Sequence, residues 1–308
     1  MRNKCKISAV FILILLLSIV PGLGLVGNSS YVYANSPSSF TIPLPSAPGT
    51  NVSRNERAEI DYSNVRDGYV KIRFLASTTA SIRVIIRGPG DVQYQYRLNT
   101  NGEWEVFPLT EGNGRYTIGV FEQASGNRFA TVISVTVDVT LVDEFAPFLR
   151  PNQFVNFNRN SRVVSLASEL VQGSTSVIDS VSRIYTYVIE NISYDVELAA
   201  NVRSGFVPDL DRVLQTRRGI CFCYASLMTA MLRSQGIPTK LVIGYAGNVF
   251  HAWISVYSQE TGWITDIIRF DGRTWHLMDP TFDATANRSD DFARFIGDGS
   301  NYNPTHFH

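Results

Sequence analysis

Two hydrophobic periods divide this chain, and one layer of secondary structure cannot satisfy both. From Ala58 to Leu141 apolar residues recur at every second position. They form the runs Val70, Ile72, Phe74; Ile82, Val84, Ile86; Val92, Tyr94, Tyr96, Leu98; and Ile133, Val135, Val137, Val139, Leu141. Polar residues fill the gaps, with Lys71, Arg73, Arg83 and Arg97 among them. Side chains of a strand alternate between faces, so this is the pattern of half-buried strands. Gly88-Pro89-Gly90-Asp91, Asn99-Thr100-Asn101-Gly102 and Glu111-Gly112-Asn113-Gly114 separate the runs as turns. Together they predict an antiparallel β-sandwich of immunoglobulin-like type. No catalytic constellation is visible in it, and its expected role is structural or binding.

Beyond Phe145-Ala146-Pro147 the period lengthens. Between Ser176 and Ile192, Val177, Ile178, Val181, Ile184, Tyr185, Val188, Ile189 and Ile192 mark one face of a helix. Ser176 and Asp179 resemble a capping box with Asp in place of Glu. A shorter helix is expected over 161–172, ended by Gly173. A third, over 224–234, has a buried face of Leu227, Met228, Met231 and Leu232 and stops at Gly236-Ile237-Pro238. Short strands are expected over 240–245, 250–257, 263–268 and 274–279. Helices followed by strands predict an α+β domain with an antiparallel sheet. The stretch 284–308 is polar and aperiodic, and His306 and His308 read as part of a frayed tail.

The N-terminus follows a third logic. Arg2, Lys4 and Lys6 precede an apolar run from Ala9 to Val20, then Pro21-Gly22. That run is shorter than the roughly 20 residues a membrane span needs. Val32-Tyr33-Ala34 supplies a small-residue cleavage signal, so 1–34 reads as a secretory signal peptide. An uncleaved anchor is the alternative. A Ser-, Pro- and Asn-rich linker (35–55), the β-sandwich module (56–143) and a second domain (144–308) follow. The 27 basic and 27 acidic residues balance and form no long run. No footprint for nucleic acid or anionic lipid is expected.

Cutting after Ala34 removes Cys5 and leaves only Cys221 and Cys223. An exported chain ordinarily pairs two cysteines. A loop this small strains disulfide geometry, and on a helix the two side chains point about 200° apart. Cys221 follows the turn Arg217-Arg218-Gly219-Ile220 and opens an apolar segment. Free N–H groups and the helix dipole there favour a thiolate. Two further pieces come in chain order: Phe250-His251-Ala252-Trp253 on a strand, and Met278-Asp279-Pro280-Thr281 ending another. A thiol nucleophile, an imidazole base and an orienting carboxylate are the groups that acyl transfer requires. Taken singly, each has a plainer reading: a buried thiol, a core histidine, a turn.

These words together resemble the transglutaminase-like superfamily over about Phe145 to Asp283. The match rests on Gly219-Ile220-Cys221 with Tyr224-Ala225 and Leu227, and on Leu232-Arg233-Ser234-Gln235-Gly236-Ile237-Pro238. Gly244-Tyr245, His251-Ala252-Trp253, Trp275 leading to Asp279-Pro280-Thr281, and Asn191-Ile192-Ser193-Tyr194-Asp195 complete it. The resemblance implies a papain-like α+β fold, with 144–308 as the catalytic domain. It implies Cys221 as nucleophile, His251 as base and Asp279 as orienting acid. Relatives often carry Asp or Glu two residues after the nucleophile; here Cys223 stands there, which removes any auxiliary role of that carboxylate.

The function expected is secreted, cysteine-dependent acyl transfer on amide bonds through a thioester. Water and an amine are both open as acceptors. The resemblance calls for no cofactor. Substrates would be protein or peptide, cell-wall peptide included. Tyr245 and Trp253 are candidates for walling a substrate groove, with plain core as the competing reading. A metal site of Cys221, Cys223 and His251 is disfavoured by the splayed Cys-x-Cys spacing. The alternative from another class is a non-catalytic wall- or surface-binding protein that keeps the fold.

Overall fold

The computed structural model describes residues 40–264, 268–270, 275–277 and 301–308. The signal segment and Asp279 lie outside the described residues. The first eight strands are β1 (Val52–Arg54), β2 (Ala58–Asp61), β3 (Tyr69–Phe74), β4 (Ile82–Arg87), β5 (Gln93–Leu98), β6 (Glu105–Pro108), β7 (Gly114–Ser125) and β8 (Arg128–Val139). They form two antiparallel four-stranded sheets, ordered β1-β2-β3-β6 and β5-β4-β7-β8. Both sheets contribute to one core, and burial follows the period of two. Val70, Ile72 and Phe74 are buried with Ile82, Val84 and Ile86 and with Tyr94, Tyr96 and Leu98. Gln93, Gln95 and Arg97 of β5 face outward and are exposed. Ile42, inside the stretch read as a linker, is buried in the core of the helical half, and Val52–Arg54 pairs with β2.

The helices are α1 (Arg162–Leu170), α2 (Val177–Asn191), α3 (Val196–Asn201), α4 (Leu210–Thr216) and α5 (Cys221–Ser234). Ser176 caps α2: its hydroxyl oxygen accepts from the Asp179 N–H at 3.0 Å. The reciprocal bond of the expected capping box goes one residue further out, from Thr175 N–H to the Asp179 carboxylate at 3.0 Å. α3 and α4 carry too little periodic sequence to be expected from it. Each is opened by an aspartate, Asp195 or Asp209, whose carboxylate accepts from the third residue on.

The remaining strands are β9 (Ser193–Tyr194), β10 (Arg218–Gly219), β11 (Thr239–Ala246), β12 (Val249–Ser258), β13 (Gly262–Ile264), β14 (Ile268–Phe270), β15 (Trp275–Leu277) and β16 (Tyr302–Phe307). A four-stranded antiparallel sheet runs β13-β12-β11-β16, and β14 pairs with β15. Helix α5 packs against α1, α2 and α4 and also against β11 and β12. Every residue from Cys223 to Ser234 is consequently buried. A helix covered on all sides loses the polar stripe that a sequence pattern depends on. For that reason Leu227, Met228, Met231 and Leu232 disclose only part of its contact surface.

The end of the chain corrects an expectation. It is no frayed tail: Tyr302–Phe307 pairs with β11, and His308 is buried. Backbone pairing holds this strand, so it needs no apolar period. His308 then packs edge-on against Tyr94, Tyr96 and Phe154. The same strand ties the two halves together. Tyr96 Oη lies 3.0 Å from His308 Nδ1, and His306 Nε2 lies 3.0 Å from the Gln93 carbonyl. Gln153 adds a bond to the Arg97 carbonyl at 2.6 Å, and Arg150 an ion pair with Asp67 at 3.0 Å.

Candidate active site

Cys221 is the first residue of α5, and three local features put it there. Asp209 caps α4, whose C-terminus turns through Arg217 in the left-handed region (φ 53°). The chain then pairs in parallel with β9: Ser193 N–H donates to the Arg217 carbonyl at 2.8 Å, and Asp195 N–H to the Gly219 carbonyl at 2.9 Å. The Asn191–Asp195 word and the Gly219-Ile220-Cys221 word are thus physical neighbours. Ile220 then enters the helix in an extended conformation, and its carbonyl accepts the first helical bond, from Tyr224 N–H. No side chain caps this end. A helix start leaves the N–H groups of its first turn without partners inside the helix.

Gly219 is required by packing rather than by its backbone angles. A Cβ at 219 would stand 2.6 Å from Cys223 Cβ and 3.3 Å from its sulfur. Lower in the first turn, Tyr224 Oη donates to the Ile192 carbonyl at 2.6 Å, which pins α5 to the end of α2. Both cysteines are unpaired; Cys221 is partly exposed and Cys223 buried. Burial pushes the Cys223 thiol up to about 11, so it stays protonated at neutral pH. The two sulfurs therefore differ in access.

His251 sits on β12 opposite Gly244 of β11 and is buried. Its ring stacks on Trp253 with centroids 6.2 Å apart and meets Tyr302 edge-on at 6.3 Å. Trp253 is itself buried and stands edge-on to Tyr302. Gly244 admits this arrangement, because a Cβ there would collide with the Asn303 carbonyl and with the Trp253 ring. Tyr245 and Phe250 form an exposed edge-to-face pair at the end of the same hairpin, 5.7 Å apart.

Cys221 and His251 line one cleft of about 1030 Å³. Tyr245 and Phe250 line it as well, whereas Trp253 does not. Arg83, Gln93, Gln95, Arg97 and Phe129, from the β5-β4-β7-β8 sheet, line it too. Period-two patterning marks the four polar side chains as outward-facing but cannot say what they face. A smaller cavity of about 200 Å³, lined in part by Ser176, Gln235 and Tyr257, contains neither Cys221 nor His251. Among the described residues no group of His, Cys, Asp and Glu side chains is arranged to hold a metal ion.

A thiol at a helix start and an imidazole in one cleft are the two groups that covalent acyl chemistry combines. The family comparison points the same way. Residues 164–266 match the model of the transglutaminase-like superfamily. The chain is 31% identical over 118 residues to kyphoscoliosis peptidase of Mus musculus, an alignment covering 38% of this chain and 17% of that protein. It is 32% identical over 92 residues to a protein-glutamine gamma-glutamyltransferase of Pseudomonas aeruginosa, covering 25% of this chain and 12% of that one. The chain thus spans under a fifth of the length of these relatives. Red sea bream transglutaminase superposes with a TM-score of 0.31 at 12% identity, covering 69% of this chain and 48% of that one.

Proposed function

We propose that the protein is an exported enzyme that transfers acyl groups from amide bonds through a thioester on Cys221. The observation that carries this reading is the shared cleft of Cys221 and His251, with Cys221 at the open start of α5. The family match over 164–266 supports it.

In the proposed cycle His251 takes the thiol proton and the Cys221 sulfur attacks the amide carbonyl carbon. The carbonyl electrons move to oxygen, where the free N–H groups of the first turn of α5 stabilise the charge. The C–N bond then breaks, and His251 returns the proton to the leaving nitrogen. Water or an amine next attacks the thioester, giving up its proton to His251, and the sulfur leaves and is reprotonated. Asp279 orients the imidazole and stabilises its cation in this reading. The buried, protonated Cys223 takes no part. The substrate is a protein or peptide, and Tyr245 with Phe250 forms the apolar rim over which it enters. The two N-terminal sheets constitute an immunoglobulin-like module, and the chain is exported by cleavage after Ala34.

Incubation with a cell-wall or protein extract, followed by mass spectrometry of the Cys221 peptide, tests the reading. An acyl adduct on Cys221, absent in His251→Ala, is the expected result. If no extract yields an adduct and Cys221 alkylates at pH 6 no faster than a free thiol, the reading fails in favour of a non-catalytic binding protein. Fractionation of cells expressing the full chain, with the mature N-terminus sequenced, tests export and cleavage.

A further inference from the structure

We propose that the N-terminal sheet is the specificity wall of the cleft, and that Arg83, Arg97 and Arg203 select a carboxylate-bearing, acidic peptide. The proposal deepens the acyl-transfer reading and rests on it for the identity of the cleft.

Arg83 on β4 and Arg97 on β5 are direct cross-strand partners on the outward face of their sheet. Like charges placed directly opposite each other on a sheet destabilise it. The pair lines the cleft that holds Cys221. Among the described residues no carboxylate forms an ion pair with either guanidinium. Arg203, on the loop between α3 and α4, adds a third guanidinium to the same cleft. No Asp or Glu occurs among the described residues that line it. The described lining thus carries guanidiniums and no carboxylate, in a chain with 27 basic and 27 acidic residues. Low-dielectric walls of one sign concentrate the field on an oppositely charged ligand.

The guanidiniums are also positioned. Arg83 lies over the Phe129 ring with its central carbon 3.9 Å from the centroid. That contact fixes the guanidinium plane while leaving its N–H edge free to donate. Arg97 is packed under the loop that carries Arg203: a Cβ on Gly205 would come 2.8 Å from Arg97 Cδ. Gln93 and Gln95 continue the wall along β5 with neutral donors and acceptors. A planar fork of N–H groups matches a carboxylate in two parallel bonds. A peptide crossing from the Cys221 side to the sheet would meet such forks at Arg83 and Arg97 and the third cation on the loop side.

The experiment uses the full chain carrying Cys221→Ala, so that binding is read without turnover. Two fluorescein-labelled octapeptides are compared by anisotropy, one alternating Glu and Gly and the other alternating Gln and Gly. The acidic peptide is expected to bind about tenfold tighter, the size of one good charge-assisted contact, with the preference falling as salt rises. Arg83→Gln with Arg97→Gln should abolish the preference. That double variant relieves a like-charge pair, so its melting temperature should not fall, and lost binding cannot then be put down to unfolding. Equal binding of the two peptides, or a preference that survives in the double variant, overturns the proposal. So does a single-stranded oligonucleotide that binds as tightly as the acidic peptide. Alkylation of Cys221 in the parent is measured alongside: a sluggish thiol with intact acidic selectivity defeats the acyl-transfer reading and not the wall.

Discussion

Gly219 and the Cβ of Cys223 are packed so closely that a methyl group at 219 would stand 2.6 Å from it. The contact sets the distance between the β10 turn and the first turn of α5, and hence the position of Cys221. Gly219→Ala should force the two apart. Overpacking of this kind typically costs about 1–3 kcal/mol. We expect a lower urea midpoint together with slower alkylation of Cys221. Unchanged values of both would show that the helix start is not held by this contact.

Cys223 predicts an alkaline weakness. Its thiol is pushed up to about 11 by burial, whereas an unfolded thiol ionises near ~8.5. Between those values the unfolded chain has released its proton and the folded chain still holds it. Stability is therefore full below about pH 8.5 and falls as pH rises to about 11, by about 3 kcal/mol in all. Tyr116 and Tyr224, also raised by burial, extend the loss at higher pH. Urea denaturation from pH 8 to 11 should show a shallower decline in Cys223→Ala than in the parent. Identical slopes would remove Cys223 from the account.

His308 predicts a weakness on the acid side. Burial holds its imidazole well below the usual range, with His306 and Arg233 adding to the effect. Tyr94, Tyr96 and Phe154 complete its surroundings. As pH falls below about 6.5 the unfolded chain takes up a proton that the folded chain refuses. Stability present above that pH is thus lost on acidification. Amides of Tyr302–Phe307 should exchange hydrogen faster at pH 5 than at pH 7 after correction for intrinsic rates. His308→Gln should flatten that dependence; a dependence that persists would place the titrating group elsewhere.

Arg233 predicts the largest single loss. Its fully buried guanidinium donates to the Thr239 carbonyl at 2.9 Å, the Arg150 carbonyl at 2.8 Å and the His308 carbonyl at 2.6 Å. Burial works against its charge, and three carbonyl oxygens compensate it. One residue thus links α5, β11, the segment after the N-terminal sheets and the end of β16. Arg233→Met leaves those oxygens short of a donor, with an expected loss of about 3 kcal/mol or more. Arg233→Lys keeps a charge but has one ammonium for three acceptors and should also lose stability. Urea midpoints equal to the parent for both variants would show that water or neighbouring N–H groups replace the guanidinium.

Much of the fold was legible because its signals are local. The alternation of Val70, Ile72 and Phe74 and of Ile82, Val84 and Ile86 reports burial residue by residue. Ser176 announces α2, and Gly236 with Pro238 announces the end of α5. Cys221 at a helix start was legible in the same way, from the turn ahead of it. The short helices α3 and α4, the surface of α5 and the strand β16 were not. The first two are opened by single aspartates, the third is buried all round, and the last is held by backbone bonds that leave no hydrophobic pattern.

By itself the sequence determined which faces are apolar and where α1, α2 and α5 lie. Which face covers which was decided by the tertiary structure. Periodicity says that Arg83 and Arg97 point away from their core; it does not say that they line the cleft that holds Cys221. Nor does it say that His308 reaches Tyr96 across a separation of 212 residues. Such contacts join residues far apart in sequence, and the free energy that selects them comes from packing whole surfaces together. No local window contains that information.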